Sequence, residues 1–520
     1  MSIRFYHHVA VEKLGNTVLQ RLATDKQLRC LVFPSLAGAK RCCAYFTRKS
    51  LQKGDAKPHL EIWSFQLPDG SSVSEESKQW SKFFVVIYNE QLAELAVESW
   101  GWFGEGISSR HALFCSDHVE DMEAVLISDN DRCMRLTPRL QSPVSTHLVP
   151  APAVPSRKVD IVTKQELKSL IAEWISPQDP ERAPVSSTDV FLFPKGMVAI
   201  SAIARILLET SEFREAVVFG WPYGSTPKVV QETEFERYTF YSQGSSGELD
   251  LLEKSLQRGD RISCFFCEVP SNPLCATPDL TRIRSLADKY HFAVVCDDTI
   301  GTFINVDVLP LADVVITSLT KLFSGGCNVM GGSVVLNNQS RFYEQIRASL
   351  AKNHEDLVFP VDAQTLLENC VDFPARVRRT NETAKTVVDF LLSQPKGLIK
   401  QVNYPTQVKT APLYEKLRRK PQGGYGCLIS ILFQSDKAAR RFYNAVDLCK
   451  GPSFGADYTL VLPYSQLAHA YELDWAESLG MPKHIIRLSV GLEDASAVVE
   501  KLANAIQATD QETDTYRASI

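Results

Sequence analysis

Short, unbroken apolar runs recur through the middle of the chain: VFLF (190–193), EAVVFG (215–220), ISCFFCEV (262–269), FAVVCDD (292–298) and ADVVITS (312–318). Continuous runs of this length suit parallel strands buried on both faces, whereas half-exposed strands alternate apolar with polar residues. Between them, VAISAIARILLET (198–210) and LTRIRSLADKY (280–290) space their apolar residues as helices do. Strand–helix–strand alternation predicts an open α/β sheet. From about residue 340 the pattern turns helical and then mixed, with GCLISILF (426–433) and HIIRLSVGLE (484–493) as strands. SAVVEKLANAIQ (496–507) predicts a closing helix, and the polar tail TDQETDTYRASI a frayed end. Nearer the N-terminus, FFVVIYNE (83–90) and EAVLIS (123–128) read as strands and QLAELAVESW (91–100) as a short helix.

One segment has neither period. LTPRLQSPVSTHLVPAPAVPSR (136–157) is rich in proline, serine and threonine, and proline fixes φ while withholding a donor, so an extended linker is expected there. The chain thus divides into an N-terminal extension (1–135), a proline-rich linker (136–157), a large α/β domain (158–350) and a smaller α+β C-terminal domain (351–520). The 520 residues, 44% apolar and 22% charged, suffice for several domains and a large core. With 56 basic and 61 acidic side chains the formal charge is −5, which argues against nucleic acid as the main partner. No apolar run approaches the roughly 18 to 20 residues of a membrane span. The N-terminal stretch mixes charge throughout and lacks a signal-peptide core. Thirteen cysteines, scattered without framework spacing, read as reduced thiols. A soluble, cytoplasmic, multi-domain protein is expected.

In open α/β sheets, ligand-binding groups gather at the carboxyl ends of strands. FAVVC ends in Asp297-Asp298-Thr299, and ADVVI ends in Thr317-Ser318-Leu319-Thr320-Lys321 before the glycine-rich FSGGCNVMGG. A carboxylate and a lysine are thereby expected at the same end of neighbouring strands. A lysine so placed suits Schiff-base chemistry, and a buried aspartate suits a pyridinium nitrogen. For an isolated lysine after a strand, a solvated loop residue is the commoner outcome. Phe193-Pro194-Lys195-Gly196-Met197 changes the balance, because it opens a helix whose N–H groups make a phosphate site, with Ser318 and Thr320 as further donors. Tyr223, in WPYGST, could lay an aromatic face over a planar ring.

On these motifs the chain resembles the pyridoxal-phosphate enzymes of cysteine and methionine metabolism, specifically the fungal form of cystathionine γ-synthase. The resemblance runs from roughly residue 83 to 510 and is carried by GISSR (106–110), FPKGMVAI, YGST, CEVPSNP (267–273), CDDT, SLTKLFSGGCNVMGG, GPSFG (451–455), LPYSQLAHA and IRLSVGLED (486–494). It implies a large domain of the aspartate-aminotransferase-like α/β fold and pyridoxal 5'-phosphate as cofactor. It implies Lys321 as the Schiff-base lysine and proton shuttle, and Asp297 at the ring nitrogen. Gly196, Met197, Ser318 and Thr320 would lie at the phosphate, Tyr223 stacked on the ring and Asn272 near the phenolic oxygen. Arg487 would meet the substrate α-carboxylate, with Ser453 nearby. A homo-oligomer, a dimer of dimers with sites between subunits, is implied as well. The family's Tyr-x-Arg segment, which reaches a neighbouring subunit's phosphate, has its counterpart in Val154-Pro155-Ser156-Arg157-Lys158. Arg157 could keep the phosphate contact, but Pro155 supplies no hydroxyl. Asp457 and Tyr458 also depart from the family pattern.

The activity so implied is γ-replacement on an O-acyl-L-homoserine, with cysteine as nucleophile. A carbon nucleophile of the β-keto acid type is the alternative that the missing tyrosine motivates. A third reading makes the chain a weak paralogue whose extension binds a protein or metabolite. Other signals are discounted. Cys264 and Cys267 fall on opposite faces of one strand and read as core. GEGISS lacks the last glycine of a dinucleotide fingerprint, and His7-His8 and Cys42-Cys43 lack partners at metal-ligand spacing. The basic block Arg376–Arg379 reads as a solvated helix face.

Overall fold

Three sheets, each formed by one stretch of chain, organise the protein in the computed structural model, which describes residues 7–22, 27–127, 135–136, 152–395 and 397–517. The first has five strands: β1 (Leu28–Phe33), β2 (Glu61–Gln66), β3 (Phe83–Asn89), β4 (Glu123–Ile127) and β5 (Arg135–Leu136), in the order β1-β3-β2-β4-β5. The second has seven: β6 (Val190–Phe193), β7 (Glu215–Phe219), β8 (Arg237–Tyr241), β9 (Cys264–Glu268), β10 (Ala293–Asp297), β11 (Val314–Thr317) and β12 (Gly332–Leu336). Their order is β6-β12-β11-β10-β9-β7-β8. The third has the order β13-β14-β17-β16-β15, from β13 (Ile399–Asn403), β14 (Leu428–Phe433), β15 (Cys449–Lys450), β16 (Leu460–Pro463) and β17 (Ile485–Ser489).

The central sheet accounts for the unbroken apolar runs. Along β9, Phe265 and Cys267 join the hydrophobic cluster on one face, while Cys264 and Phe266 join the cluster on the other. Both faces are covered, so β9 is apolar at every position before its terminal Glu268. The two cysteines accordingly point apart, as their spacing requires. β7, β8, β9, β10 and β11 pair in parallel. β12 lies antiparallel to both β11 and β6, so the sheet is mixed. Its segment, GSVVL, follows directly on the glycine-rich loop and is too short to stand out by pattern.

Three expectations need correction. Arg157 is not linker: it opens the helix Arg157–Ile175 behind the N-cap Ser156. Most of the expected linker, 137–151, lies outside the described residues. The closing helix extends over Ala495–Arg517, taking in much of the tail expected to fray, since neither glycine nor proline interrupts it. The basic block is not one solvated face. Arg378 and Arg379 are exposed, but Arg376, on the helix Phe373–Leu392, is buried. Its guanidinium donates to Phe323 O at 2.8 Å, Asn369 O at 2.9 Å and Leu322 O at 3.3 Å, and pairs with Asp372 and, at 3.5 Å, with Asp457.

The N-terminal module docks on the rest through polar contacts at several points. Arg48 and Lys49 meet Glu232 at 3.1 and 2.6 Å, and Arg110 reaches Asn328 O at 2.7 Å and Asp362 at 3.1 Å. Among the described residues no helix is long and apolar enough to cross a membrane.

Arg376→Met leaves buried carbonyls on the turn after Lys321 without donors, so unfolding stability is expected to fall by about 3 to 5 kcal/mol. Urea denaturation checks this. Arg376→Lys should recover only part of the loss, because an ammonium cannot span the same oxygens.

Candidate active site

At the carboxyl ends of β9, β10 and β11 lies a cavity of about 310 Å³. It is lined by Gly196, Met197, Tyr223, Asn272, Asp297, Ser318, Thr320, Lys321, Ser453 and Arg487. All the candidate residues named from the sequence therefore converge except Arg157. That side chain is exposed at its helix N-terminus, outside this chain's own cavity, and its backbone N–H meets Glu76 at 3.4 Å.

Lys321 follows β11, whose last residue turns the chain so that Ser318 N donates to Thr299 Oγ1 at 2.8 Å. Lys321 Nζ donates to Ser453 Oγ at 2.9 Å and stands 5.0 Å from the Phe454 ring. The loop bearing Ser453 approaches closely because of Gly455, whose φ is +70°. A Cβ there would lie 2.5 Å from Leu322 N, so only glycine fits without displacing the lysine segment. Thr320 Oγ1 accepts from Gly331 N at 3.1 Å, closing the glycine-rich loop on itself.

Arg487, on β17, is buried. It donates to Asn272 Oδ1 at 3.2 Å and to the carbonyls of Pro452 and Ser453, both at 2.8 Å. Phe454 and Tyr464 flank it at 5.6 and 5.4 Å. The guanidinium is thus fixed in plane, with the loop of Ser453 and the turn of Asn272 set by it.

Carboxylates crowd the strand ends. Asp297 on β10 is in register with Glu268 on β9. Burial pushes Glu268 well above the usual carboxylate range, Asp297 adds to this, and the Tyr223 N–H, 2.5 Å from Oε2, opposes it. Burial raises Asp297 too, against hydrogen bonds from Thr299. Asp298 points away from the cavity and takes the Thr317 hydroxyl at 2.5 Å. Burial lifts it to about 7, the Thr317 bond opposing.

Several lining residues were not singled out by sequence: Glu268, Thr299, Lys195, Trp100, Met330 and Phe454. Glu268 carried the same signal as Asp297, a carboxylate ending a buried strand. Trp100 carried none, since its helix, Ala93–Phe103, belongs to the N-terminal module.

An acid whose folded pKa is raised contributes stability below its unfolded pKa that is lost as pH climbs toward the folded value. For Asp298 that window runs from about 4 to about 7. The loss across it is on the order of 4 kcal/mol. Asp298→Asn keeps an acceptor for Thr317 and removes the charge. Its urea midpoint is expected to gain on the parent more at pH 8 than at pH 5, and an equal difference at both pH values would rule the charge out.

Residues 185–507 match the family model described as Cys/Met metabolism PLP-dependent enzyme, and residues 10–108 match the fungal trans-sulfuration enzyme N-terminal domain. The chain is 45% identical over 507 residues to the cystathionine gamma-synthase-like protein ankD of Aspergillus thermomutatus, covering 97% of this chain and 86% of that one. It is 33% identical over 580 residues to a cystathionine gamma-synthase of Neurospora crassa, covering 98% and 92%. The crystal structure of cystathionine gamma synthase from Xanthomonas oryzae pv. oryzae in complex with aminoacrylate and cysteine shares the fold, with a TM-score of 0.57 at 21% identity, over 72% of this chain and 94% of that chain. The chain belongs to the pyridoxal-phosphate-dependent enzymes of cysteine and methionine metabolism and is cystathionine gamma-synthase-like.

Proposed function

We propose that the protein replaces the γ-substituent of an O-acyl-L-homoserine by a nucleophile, with cysteine as the first candidate. The observation that carries this reading is the convergence of Lys321, Arg487 and Asp297 on one cavity. The residues there fit the family's cofactor. The helix Gly196–Thr210 starts at the cavity with no side-chain cap, so its first N–H groups are donors suited to a phosphate. A Cβ on Gly196 would stand 3.0 Å from Ser318 Cβ and narrow that cradle. Asp297, half-buried and with no ion-pair partner among the described residues, suits a protonated ring nitrogen. Tyr223 supplies a ring face at the cavity wall. When bound, the cofactor supplies a carbonyl carbon for an amine and a ring that accepts electrons.

The remaining tasks fall to the protein. Arg487 takes the substrate α-carboxylate by its planar fork. Lys321 Nζ, tethered beside the substrate, moves protons from Cα and then Cβ and returns them. Ser453 Oγ orients that amine between transfers. Asp297 holds the proton at the ring nitrogen. The acyl group leaves Cγ as a carboxylate, and the nucleophile adds at the same carbon and gives up its own proton. Ile200, Met330 and Phe454 keep water from the reacting carbons.

Arg157 is assigned to the phosphate of a neighbouring copy. Support comes from its exposure and from Val159, Ile161 and Val162, which stand exposed on the same helix and invite a covering subunit. This assignment calls for a homo-oligomer, and the dimer-of-dimers arrangement is what the family resemblance implies.

A second reading keeps the lysine and changes the nucleophile to a carbon acid of the β-keto type. The apolar wall of Trp100, Ile200, Met330 and Phe454 favours it, since such a surface suits a carbon nucleophile better than a zwitterionic amino acid.

Mass spectrometry of products from O-acetyl-L-homoserine, with cysteine and separately with acetoacetate, tests both. Cystathionine as the dominant product is expected; a carbon-linked amino acid with little cystathionine would establish the second reading instead. Lys321→Ala should lower turnover by about 10³-fold or more. Retained steady-state activity would sink either reading.

A further inference from the structure

Lys195 is the N-cap residue of the Gly196 helix, in extended conformation with φ −156° and ψ 153°, and its side chain does not cap that helix. Nζ turns instead to Gly106 O, to which it donates at 2.9 Å, and stands 5.6 Å from the Trp100 ring. The side chain is buried, yet it lines the same cavity as Gly196, Met197, Ser318 and Thr320. An ammonium has three donors. Among the described residues this one has a single hydrogen-bond acceptor and no carboxylate at ion-pair distance. Burial brings it down to about 8, although Asp362 and Glu105 pull the other way. A buried cation so sparsely matched is costly unless an anion completes its surroundings.

The partner carbonyl belongs to an elbow of the N-terminal module that is built for close approach. Gly104 has φ +69°, and a Cβ there would lie 3.0 Å from Met197 Cβ, in the first turn of the Gly196 helix. A Cβ on Gly106 would stand 2.8 Å from the Trp100 ring. Ile107 N donates to Val32 O at 3.1 Å, which ties the elbow to β1. The N-terminal module thus reaches the wall of the phosphate cradle from within the same chain.

We propose that Lys195 binds the cofactor phosphate directly while its bond to Gly106 O fastens the N-terminal elbow over the site, so that phosphate binding and elbow closure are coupled. This rests on the placement of the phosphate at the Gly196 helix. A charge-assisted bond of this kind is worth about 10- to 100-fold in affinity.

The test titrates the full-length apoenzyme with pyridoxal 5'-phosphate and with pyridoxal, which lacks the phosphate. Lys195→Gln is expected to weaken the phosphorylated ligand about 10- to 100-fold and pyridoxal by no more than about twofold, with Lys195→Arg recovering most of the loss. Equal losses on both ligands would make Lys195 a strut only and overturn the proposal, as would unchanged affinity for the phosphorylated form. A wild type that does not prefer the phosphorylated form would overturn the phosphate placement and the proposal with it, a failure visible before any variant is made. If Lys195→Gln does not fold, hydrogen exchange in the wild type decides. Amides of 101–107 are expected to slow with inorganic phosphate or pyridoxal 5'-phosphate and not with pyridoxal; exchange indifferent to phosphate would overturn the coupling.

Discussion

The carbonyl oxygens of Leu322 and Phe323 belong to neither a strand nor a helix, and the buried guanidinium of Arg376 is what meets them. In the role proposed for it, Lys321 would move protons between defined carbons, and that needs a backbone that does not wander. Arg376 provides it by linking the turn to the helix Phe373–Leu392, and Asp457 stands 3.5 Å from its Nε. The contact leaves no room for a side chain at Gly325, where a Cβ would run into both Asp457 and Arg376. Gly455 meets the same condition against Leu322. Asp457 was notable in the sequence only as a departure from the family pattern. Its place in the structure is that of an ion-pair partner to the residue that pins the catalytic segment.

How much of this the sequence revealed depended on whether the signal was local. The strands of the central sheet were legible because burial on both faces leaves an unbroken apolar run, and Asp297, Ser318, Thr320 and Lys321 were legible because they end such runs. Tyr223 and the Gly196 turn were found through short motifs that combine a strand end with a helix start. Arg376 was misjudged: a run of basic residues ordinarily marks a wetted face, and nothing near it in the chain announces that two of the carbonyls it serves lie more than fifty residues away. Trp100 and Lys195 belong to the same class of contact. The helix Ala93–Phe103 and the Gly196 turn each looked complete alone, and only their packing makes them two sides of one wall.

The acidic strand ends pose a different physical problem. Glu268 and Asp297 sit side by side on β9 and β10, Glu268 buried and Asp297 half-buried; Asp297 adds to the cost of ionising Glu268, while hydrogen bonds from Thr299 ease that of Asp297. A cationic ring nitrogen between the cavity walls would relieve Asp297 in particular, which links the family's cofactor to the protein's own electrostatic balance. Asp298 is spared the cavity because the chain turns after β10 and delivers it to Thr317 instead. Adjacent aspartates therefore divide the work: one faces the ligand site and the next anchors β11, which carries the lysine segment.

The same distinction between surface and buried contacts explains how the N-terminal module is positioned. Its ion pairs to Glu232 are partly exposed, and such pairs contribute little individually. Of the contacts from GISSR, one is buried and one is exposed. Gly106 O receives a buried lysine from the phosphate turn, and Arg110 donates to Asn328 O in the glycine-rich loop after Lys321. A five-residue segment thus touches both the Gly196 turn and the glycine-rich loop, one through its first residue and one through its last. Displacing the module would unpair groups on both sides of the cavity together, whereas loss of the outer ion pairs would leave those groups in place. The module's orientation is set where it meets the candidate site, which makes it a wall of that cavity and not an appendage to it.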